Sequence, residues 1–205
     1  MGLFKRNPFG HILFIKKWLI RIFGAITHSR YRSFNNLQID GSEIIRSLPD
    51  TNVLFISNHQ TYFADVTAMF HVFNAALKGR EDNIKNVFYL WEPKLNIYYV
   101  AAKETMTEGF LPRILAYIGA ITVERTWRAE GKDVQREVNP NDTENIKIAL
   151  EDGWVITFPQ GTTRSFKPVR KGTAHIIKQH KPIVVPIVID GFRRSFDRKG
   201  LFVKK

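Results

Sequence analysis

The chain has 205 residues, of which 44% are hydrophobic and 24% charged, a balance typical of one globular domain with a substantial core. It contains no cysteine, which excludes disulfides, thiolate nucleophiles and cysteine-ligated metals. The formal charge of +12 favours an anionic partner such as anionic lipid, an acidic acyl carrier or nucleic acid, but no nucleic-acid motif accompanies it. We therefore predict no nucleic-acid partner.

An apolar run near the N-terminus, from Phe9 to Ile26, has helical periodicity, with Lys17 and Arg21 opposite its apolar face. The face consists of Ile12, Ile15, Trp18, Leu19, Ile22, Phe23 and Ile26, and Leu13, Phe14 and Ile20 widen it. Basic residues make the run a poor membrane span, whereas a basic amphipathic helix with Trp suits the headgroup boundary. We predict that residues 1–35 lie on an anionic membrane surface, peripheral or monotopic on the cytoplasmic face of the cell membrane. A first helix packed on the core is the alternative.

A candidate base follows the first predicted strand. The apolar run Val53–Ser57 predicts a buried strand, and a helical pattern begins near Asp65. His59 then lies on a strand-to-helix loop, where α/β sheets present catalytic groups. A neutral imidazole takes a proton from an alcohol, and a carboxylate on its other nitrogen fixes the tautomer. We predict His59 as the base and Asp65 as the residue that orients it; a helix cap and a favourable helix-end charge are the alternative.

Strands and helices alternate through the rest of the chain. Further strands are predicted at Tyr98–Ala102, Ala120–Glu124, Trp154–Phe158 and Ile183–Ile189, and helices at Asp65–Leu77, Leu111–Ile118, Thr143–Leu150 and Thr173–Gln179. This alternation favours an α/β sandwich with a largely parallel central sheet flanked by helices. We predict that residues 36–205 form this domain and that the polar residues 128–142 form a mobile loop.

A loop suited to an anion follows the strand predicted at Trp154–Phe158. It contains Gly161, Thr162 and Arg164, and Lys171 comes close behind. Glycine lets the backbone approach a ligand, hydroxyl and N–H groups donate hydrogen bonds, and arginine binds phosphate or carboxylate bidentately. The alternative is a solvated basic turn.

Four sequence blocks, in order, resemble those of the glycerolipid acyltransferases typified by 1-acyl-glycerol-3-phosphate acyltransferase. The blocks are Asn58-His59 with Asp65, residues 119–125 (Gly-Ala-Ile-Thr-Val-Glu-Arg), residues 158–165 (Phe-Pro-Gln-Gly-Thr-Thr-Arg-Ser) and residues 185–188 (Val-Pro-Ile-Val). The segment Ala102-Lys103-Glu104 is similar to a further part of the family pattern. The resemblance spans residues 53–192.

The resemblance implies an acyltransferase of phospholipid biosynthesis. Its donor is acyl-CoA or acyl-carrier protein, its default acceptor is the lysolipid lysophosphatidic acid, and no cofactor or metal is expected. Arg125 stands in the family's place for binding the acceptor's phosphate. We expect Arg164 to assist Arg125. Lys103 and Lys171 either help them or are surface charges. Gly161 and Thr162 are expected to contribute to the anion site and to stabilise the developing oxyanion.

Two departures from the family pattern bear on activity. The family's acid lies five residues after histidine, where this chain has Ala64, and Asp65 follows one residue later. Gln160 replaces a glutamate, and a second threonine moves Arg164 further from the glycine. A lyso-aminolipid acceptor and a catalytically silent membrane-surface protein therefore remain alternatives. A His59 to Asp65 distance of about 2.6–3.2 Å is expected of a working base and its orienter.

Overall fold

The computed structural model describes residues 4–107, 109–124 and 139–204, together with the backbone of residues 128–129 and 132–133. Its central sheet has five strands: β1 (Val53–Ser57), β2 (Ile97–Ala102), β3 (Ala120–Val123), β6 (Trp154–Thr157) and β7 (Ile183–Ile187). Their order across the sheet is β3-β2-β6-β1-β7, and all neighbouring strands are parallel. A separate antiparallel pair is formed by β4 (Arg128–Ala129) and β5 (Lys132–Asp133).

Helices cover both faces of the sheet, which confirms the predicted α/β sandwich. They are α1 (Leu13–Ser29), α2 (Ala64–Leu77), α3 (Lys103–Thr107), α4 (Phe110–Gly119), α5 (Pro140–Asp152), α6 (Lys171–His180) and α7 (Phe192–Ser195). A π-helical segment at Arg30–Phe34 continues α1, and 3-10 helices lie at Ser42–Ser47 and Val87–Leu90. One core cluster packs α1, α2 and α4 on the sheet, and a second packs α5 and α6 on the opposite face.

The segment predicted as a loop at residues 128–142 differs from that prediction at two places. Residues 128–129 pair with residues 132–133, and α5 begins at Pro140. The Asn139 side chain accepts the Asn141 N–H at 3.0 Å, and proline at the first helical position needs no N–H partner. These two signals start the helix three residues before the predicted Thr143. The rest of the segment lies outside the described residues.

Helix α1 packs one side on the domain and exposes apolar side chains on the other. Ile20 is buried, and Leu19 and Phe23 pack against the core. The exposed side carries Phe14, Ile15, Trp18, Ile22 and Ile26. The prediction of one common apolar face is wrong for Leu19 and Phe23, because the core competes for the same residues. Among the described helices, none has the length and the apolar character needed to cross a membrane.

Buried polar contacts hold α1 in place. His71 on α2 pairs with the Thr27 hydroxyl at 2.9 Å and with the Tyr89 hydroxyl at 2.7 Å. Burial lowers the pKa of His71 to about 3, so this imidazole is neutral near pH 7. Lys16 of α1 is also fully buried, with its Nζ atom 4.6 Å from the centre of the Tyr98 ring. Burial lowers the pKa of Lys16 to about 7. The N-terminal helix is therefore attached by specific contacts as well as by apolar packing.

Candidate active site

The loops that follow β1, β6 and β7 meet at the carboxyl edge of the sheet. These three strands are neighbours, with β1 between β6 and β7. His59 lies two residues after β1, and Phe158 directly follows β6. Parallel strands present their following loops at the same edge, so two sequence blocks a hundred residues apart become adjacent. This is the position that the sequence predicted for His59.

His59 and Asp65 are in direct contact. The His59 Nδ1 atom lies 2.8 Å from Asp65 Oδ2, within the range expected for a base and its orienter. The Asp65 side chain is fully buried in the first turn of α2, and 14% of the His59 side chain is exposed. Because a carboxylate only accepts hydrogen bonds, this contact places the proton of the neutral ring on Nδ1 and leaves Nε2 as the basic nitrogen.

Thr61 explains how the acid reaches the base although the loop is one residue longer than the family pattern. Its hydroxyl donates to Asp65 Oδ1 at 2.8 Å, and its N–H donates to Asp65 Oδ2 at 3.1 Å. The Gln60 N–H donates to Asp65 Oδ2 at 2.6 Å. A buried carboxylate needs such donors, and here they come from the loop itself. The sequence analysis missed this role of Thr61; the signal is a threonine placed just before a helix start, where its side chain bonds nearby groups.

The His59 ring stacks on Phe158. The two ring centres are 4.0 Å apart, and the ring planes differ by 20°. Phe158, from the loop after β6, thus supports the imidazole from one side, while Asp65 holds its Nδ1 atom. Among the described residues, His59 Nε2 has no hydrogen-bond partner. This atom is the one that can meet a substrate hydroxyl.

Asn58 joins the His59 loop to the chain beyond β7. Its side-chain oxygen accepts the Ile189 N–H at 2.8 Å, and its amide donates to the Ile189 carbonyl at 2.7 Å. The side chain thus continues the pairing of β1 with β7 past the end of β1. No local sequence signal points to this contact, because the two residues are 131 positions apart.

The loop after β6 is closed by its own hydrogen bonds. Gly161 has a φ of 61°, and its N–H donates to the Phe158 carbonyl at 2.8 Å. The Gln160 amide donates to the Lys167 carbonyl at 2.8 Å, and the Arg170 Nε donates to the Gln160 carbonyl at 3.2 Å. A glutamate at position 160 could only accept hydrogen bonds and could not make the bond to Lys167. In this chain Gln160 has a structural role in the loop.

Two of the predicted anion-binding residues, Arg164 and Lys171, lie on the surface. Within the described chain no hydrogen bond or ion pair joins either of them to His59 or Asp65. Their role, and that of Lys103, stays a prediction.

Some of the other groups predicted to bind an anion already form hydrogen bonds or ion pairs within the protein. Lys103 pairs with Glu124 at 3.3 Å. The Thr162 hydroxyl accepts the Arg164 N–H at 3.2 Å, and the Gly161 N–H is engaged in its own turn. Arg125 lies outside the described residues. Binding of an anion by Arg125, Gly161 and Thr162 therefore also remains a prediction.

A narrow apolar cavity of about 50 Å³ lies between α1, α2 and α4. Tyr62 and Phe63, which follow His59 by three and four residues, line it together with Phe23, Val66 and Leu115. In the part of the chain that the structure describes, no group of His, Asp and Glu side chains is arranged to hold a metal ion.

Comparison with known families identifies the domain. The Acyltransferase family model matches residues 36–190, which include the His59 loop and the loop after β6. The chain belongs to the Acyltransferase family. This membership supports a lipid acyltransferase activity in general and agrees with the glycerolipid acyltransferase resemblance of the sequence blocks. Searches of curated proteins and of solved structures each gave no match.

Proposed function

We propose that this acyltransferase moves a fatty acyl group from an acyl-CoA or acyl-carrier-protein thioester to the hydroxyl of a lysolipid, with 1-acyl-glycerol-3-phosphate as the acceptor, in phospholipid biosynthesis. The observation that carries the proposal is the 2.8 Å contact of His59 Nδ1 with a fully buried Asp65. It orients a base whose Nε2 atom is available, and that is what deprotonation of an alcohol requires.

The reaction needs no covalent enzyme intermediate. His59 Nε2 takes the proton of the acceptor hydroxyl as the oxygen attacks the thioester carbonyl. Asp65 stabilises the imidazolium that forms. The tetrahedral intermediate then collapses, the carbon–sulfur bond breaks, and the imidazolium returns the proton to the leaving thiolate. The products are the acylated lipid and the free thiol of the carrier.

The developing oxyanion needs hydrogen-bond donors that are already in place. We assign this role to the start of the loop after β6, beside the Phe158 ring on which His59 stacks. The Gly161 N–H already donates to the Phe158 carbonyl. We therefore favour Thr162, whose hydroxyl accepts one hydrogen bond from Arg164 and keeps its own proton for donation.

The acyl chain of the donor or of the acceptor would enter the apolar cavity between α1, α2 and α4. Its lining is mainly aliphatic and aromatic and includes Tyr62 and Phe63 of the His59 loop. Apolar lining favours a hydrocarbon chain. A cavity of about 50 Å³ holds only part of such a chain, so entry requires the helices around it to move apart.

The exposed apolar side of α1 is the surface that we propose contacts the anionic membrane, as a peripheral attachment on the cytoplasmic face. The Arg21 guanidinium lies 4.8 Å from the Trp18 ring centre and 4.3 Å from that of Trp91. Phe88, beside Trp91, is 71% exposed. Tryptophan rings around a basic group suit the headgroup region, where apolar surface and positive charge both contribute to binding.

The membrane surface is tested by Trp18→Glu combined with Ile22→Glu. Both side chains are exposed on α1, so the charges should release the protein from anionic vesicles without disturbing the core. Sedimentation with phosphatidylglycerol vesicles measures binding, which should also weaken with salt. The matched control is Ile44→Glu with Val184→Glu, two exposed apolar residues on other elements. Equal loss in both double variants, or loss in neither, would exclude α1 as the membrane surface.

The acceptor's phosphate is tested at Arg125. Lysine cannot reproduce the bidentate contact of arginine, so Arg125→Lys should lower kcat/KM for lysophosphatidic acid by about 10- to 100-fold. A contact made equally in ground and transition states raises KM, and one that aligns the hydroxyl also lowers kcat; we expect both effects. Lys171→Arg is the control and should have a smaller effect. If the two variants have equal kinetics, Arg125 does not bind the phosphate.

The decisive experiment is an acyl-transfer assay with the purified protein in lipid vesicles. Acyl-CoA and acyl-carrier protein are each supplied as donor, and the acceptors are lysophosphatidic acid, neutral lysolipids and lyso-aminolipids. Transfer to lysophosphatidic acid supports the proposal. A preference for lyso-aminolipids would instead indicate that Gln160 and the longer loops belong to an enzyme with another acceptor. No transfer with any pair would indicate a silent membrane-surface protein.

A further inference from the structure

The chain after β7 folds back over the edge of the sheet that carries His59. Helix α7 leads into residues 196–203, which we name the C-terminal turn and which a bridge between Phe196 and Val203 closes. Phe192 and Phe196 are buried, with ring centres 6.1 and 5.7 Å from that of Tyr31. The turn is thus anchored in the core, although it follows residue 190, where the family match ends.

The C-terminal turn is hydrogen-bonded to the loop that joins His59 to α2. The Phe63 N–H donates to the Lys199 carbonyl at 3.0 Å, and the Tyr62 N–H donates to the Arg198 carbonyl at 3.3 Å. N–H groups just before and within the first turn of a helix have no partner inside that helix. The turn supplies the missing acceptors and so holds the backbone between the proposed base and its acid.

Gly200, in the C-terminal turn, lies directly against the loop that joins His59 to α2. Its φ is +76°, and a Cβ atom at this position would lie 2.6 Å from the Ala64 nitrogen and 2.8 Å from the Thr61 Oγ1 atom. That hydroxyl donates to Asp65 Oδ1 at 2.8 Å. Only glycine combines this backbone conformation with such close contact. The turn therefore packs directly behind the group that holds Asp65.

Arg193 adds a second link at the start of this segment. Its backbone N–H donates to the Gln60 side-chain oxygen at 3.2 Å, and its guanidinium donates to the Thr163 carbonyl. One residue of α7 thus connects the loop after β1 with the loop after β6. These are the two loops whose lengths differ from the family pattern.

We propose that the C-terminal turn is part of the active site, with Gly200 as a positioning residue that sets Asp65 through Thr61. The inference deepens the proposed acyl transfer and rests on it. Gly200 touches no reacting atom: it leaves room for the Thr61 hydroxyl, which orients Asp65, which orients His59. Sequence outside the matched family region would then control the geometry of the base.

Gly200→Ala tests this chain of contacts. The new methyl group should displace Thr61 and Asp65 and lower kcat by about 10²-fold, the effect of a displacement of roughly 1 Å at a reacting group, with KM little changed. A displaced carboxylate stabilises the imidazolium less. The loss should therefore appear in kcat, at the step in which the imidazolium forms.

Gly41→Ala is the matched control. Gly41 has a φ of +79°, close to that of Gly200, but a Cβ atom there would meet nothing within 4 Å. Both variants carry the backbone strain of alanine at positive φ, and both should lower the melting temperature. Gly41→Ala should keep the wild-type kcat. If Gly200→Ala also keeps it, the turn is structural only and the inference is wrong.

A second variant covers the case in which Gly200→Ala does not fold. Asp197 Oδ1 accepts the Leu201 N–H at 2.7 Å and the Phe202 N–H at 2.8 Å, so it shapes the turn without touching Asp65. Asp197→Ala should loosen the turn and lower kcat in the same way, with KM little changed. An unchanged kcat in this variant would overturn the inference.

Nuclear magnetic resonance separates this inference from the proposed function. The Nδ1 proton of His59, which is hydrogen-bonded to Asp65 Oδ2, is observed in the wild-type protein and in the Gly200→Ala, Asp197→Ala and Gly41→Ala variants. Displacement of the carboxylate should shift or broaden this proton signal in the first two variants, and the signal should stay at its wild-type position in Gly41→Ala. This readout needs no acyl transfer. The expected signals with an inactive wild-type protein would contradict the proposed enzyme activity but support the role of the turn, and unchanged signals in an active enzyme would do the reverse.

Discussion

His59→Ala is expected to lower acyl transfer by about 10²–10⁴-fold, the contribution of a general base, while the protein remains folded. The imidazole is held by Asp65 on one nitrogen and stacked on Phe158, and no other histidine approaches Asp65 within hydrogen-bonding distance in the described structure. Initial rates at saturating donor measure the loss, and circular dichroism with a melting curve verifies the fold.

His175→Ala is the matched control for this substitution. His175 is exposed on α6 and lies outside the loop after β1, so the same change removes an imidazole that is not part of the proposed site and should leave the rate unchanged. A His59→Ala protein with more than a few per cent of wild-type activity would contradict a general-base role. The 2.8 Å contact with Asp65 would then serve only to order the start of α2.

Asp65→Asn is expected to lower kcat by about 10²-fold or more with little effect on KM, because the charge that stabilises the imidazolium is lost. An asparagine has nearly the same shape. Its amide oxygen can accept the Gln60 N–H and the His59 Nδ1–H, and its amide group can donate to the Thr61 hydroxyl, which rotates to accept. The geometry is thus retained and the charge alone is removed.

Steady-state kinetics of Asp65→Asn and of Asp50→Asn give the comparison. Asp50 is exposed and pairs with Lys94 away from the His59 loop, so its substitution makes the same chemical change without affecting transfer. The melting temperature reports any loss of order at the start of α2. Wild-type kcat in Asp65→Asn would remove the carboxylate charge from the mechanism and leave Asp65 with a capping role.

Much of the site was predictable because its signals are local. The apolar run Val53–Ser57 and the helical pattern after it placed His59 on a strand-to-helix loop, and β1 and α2 begin within one residue of the predicted positions. A base and its orienter are expected about 2.6–3.2 Å apart, and the observed 2.8 Å between His59 and Asp65 lies within this range. What the local pattern did not show is which group Thr61 contacts: a threonine just before a helix start bonds nearby groups, but only the folded loop turns its hydroxyl toward Asp65.

Helix α1 shows that hydrophobic periodicity alone does not determine which apolar residues are buried. Its pattern predicts an amphipathic helix, but it has more apolar residues than one face can hold. Leu19 and Phe23 pack on the core, and Trp18 and Ile22 face outward. Periodicity records which residues are apolar. The neighbouring helices decide which of them are buried.

The sequence by itself determined the parallel α/β fold, the helix-to-strand alternation and the loop that carries His59, because hydrophobic periodicity and start and stop signals act over a few residues. Only the tertiary structure decided the strand order β3-β2-β6-β1-β7, the stacking of Phe158 on His59 and the packing of Gly200 behind Thr61. The β1–β6 and β1–β7 pairings, the His59–Phe158 stacking and the Gly200–Thr61 contact join segments about a hundred or more residues apart. Their free energy depends on the shape of the assembled core, and no local stretch of the chain contains that information.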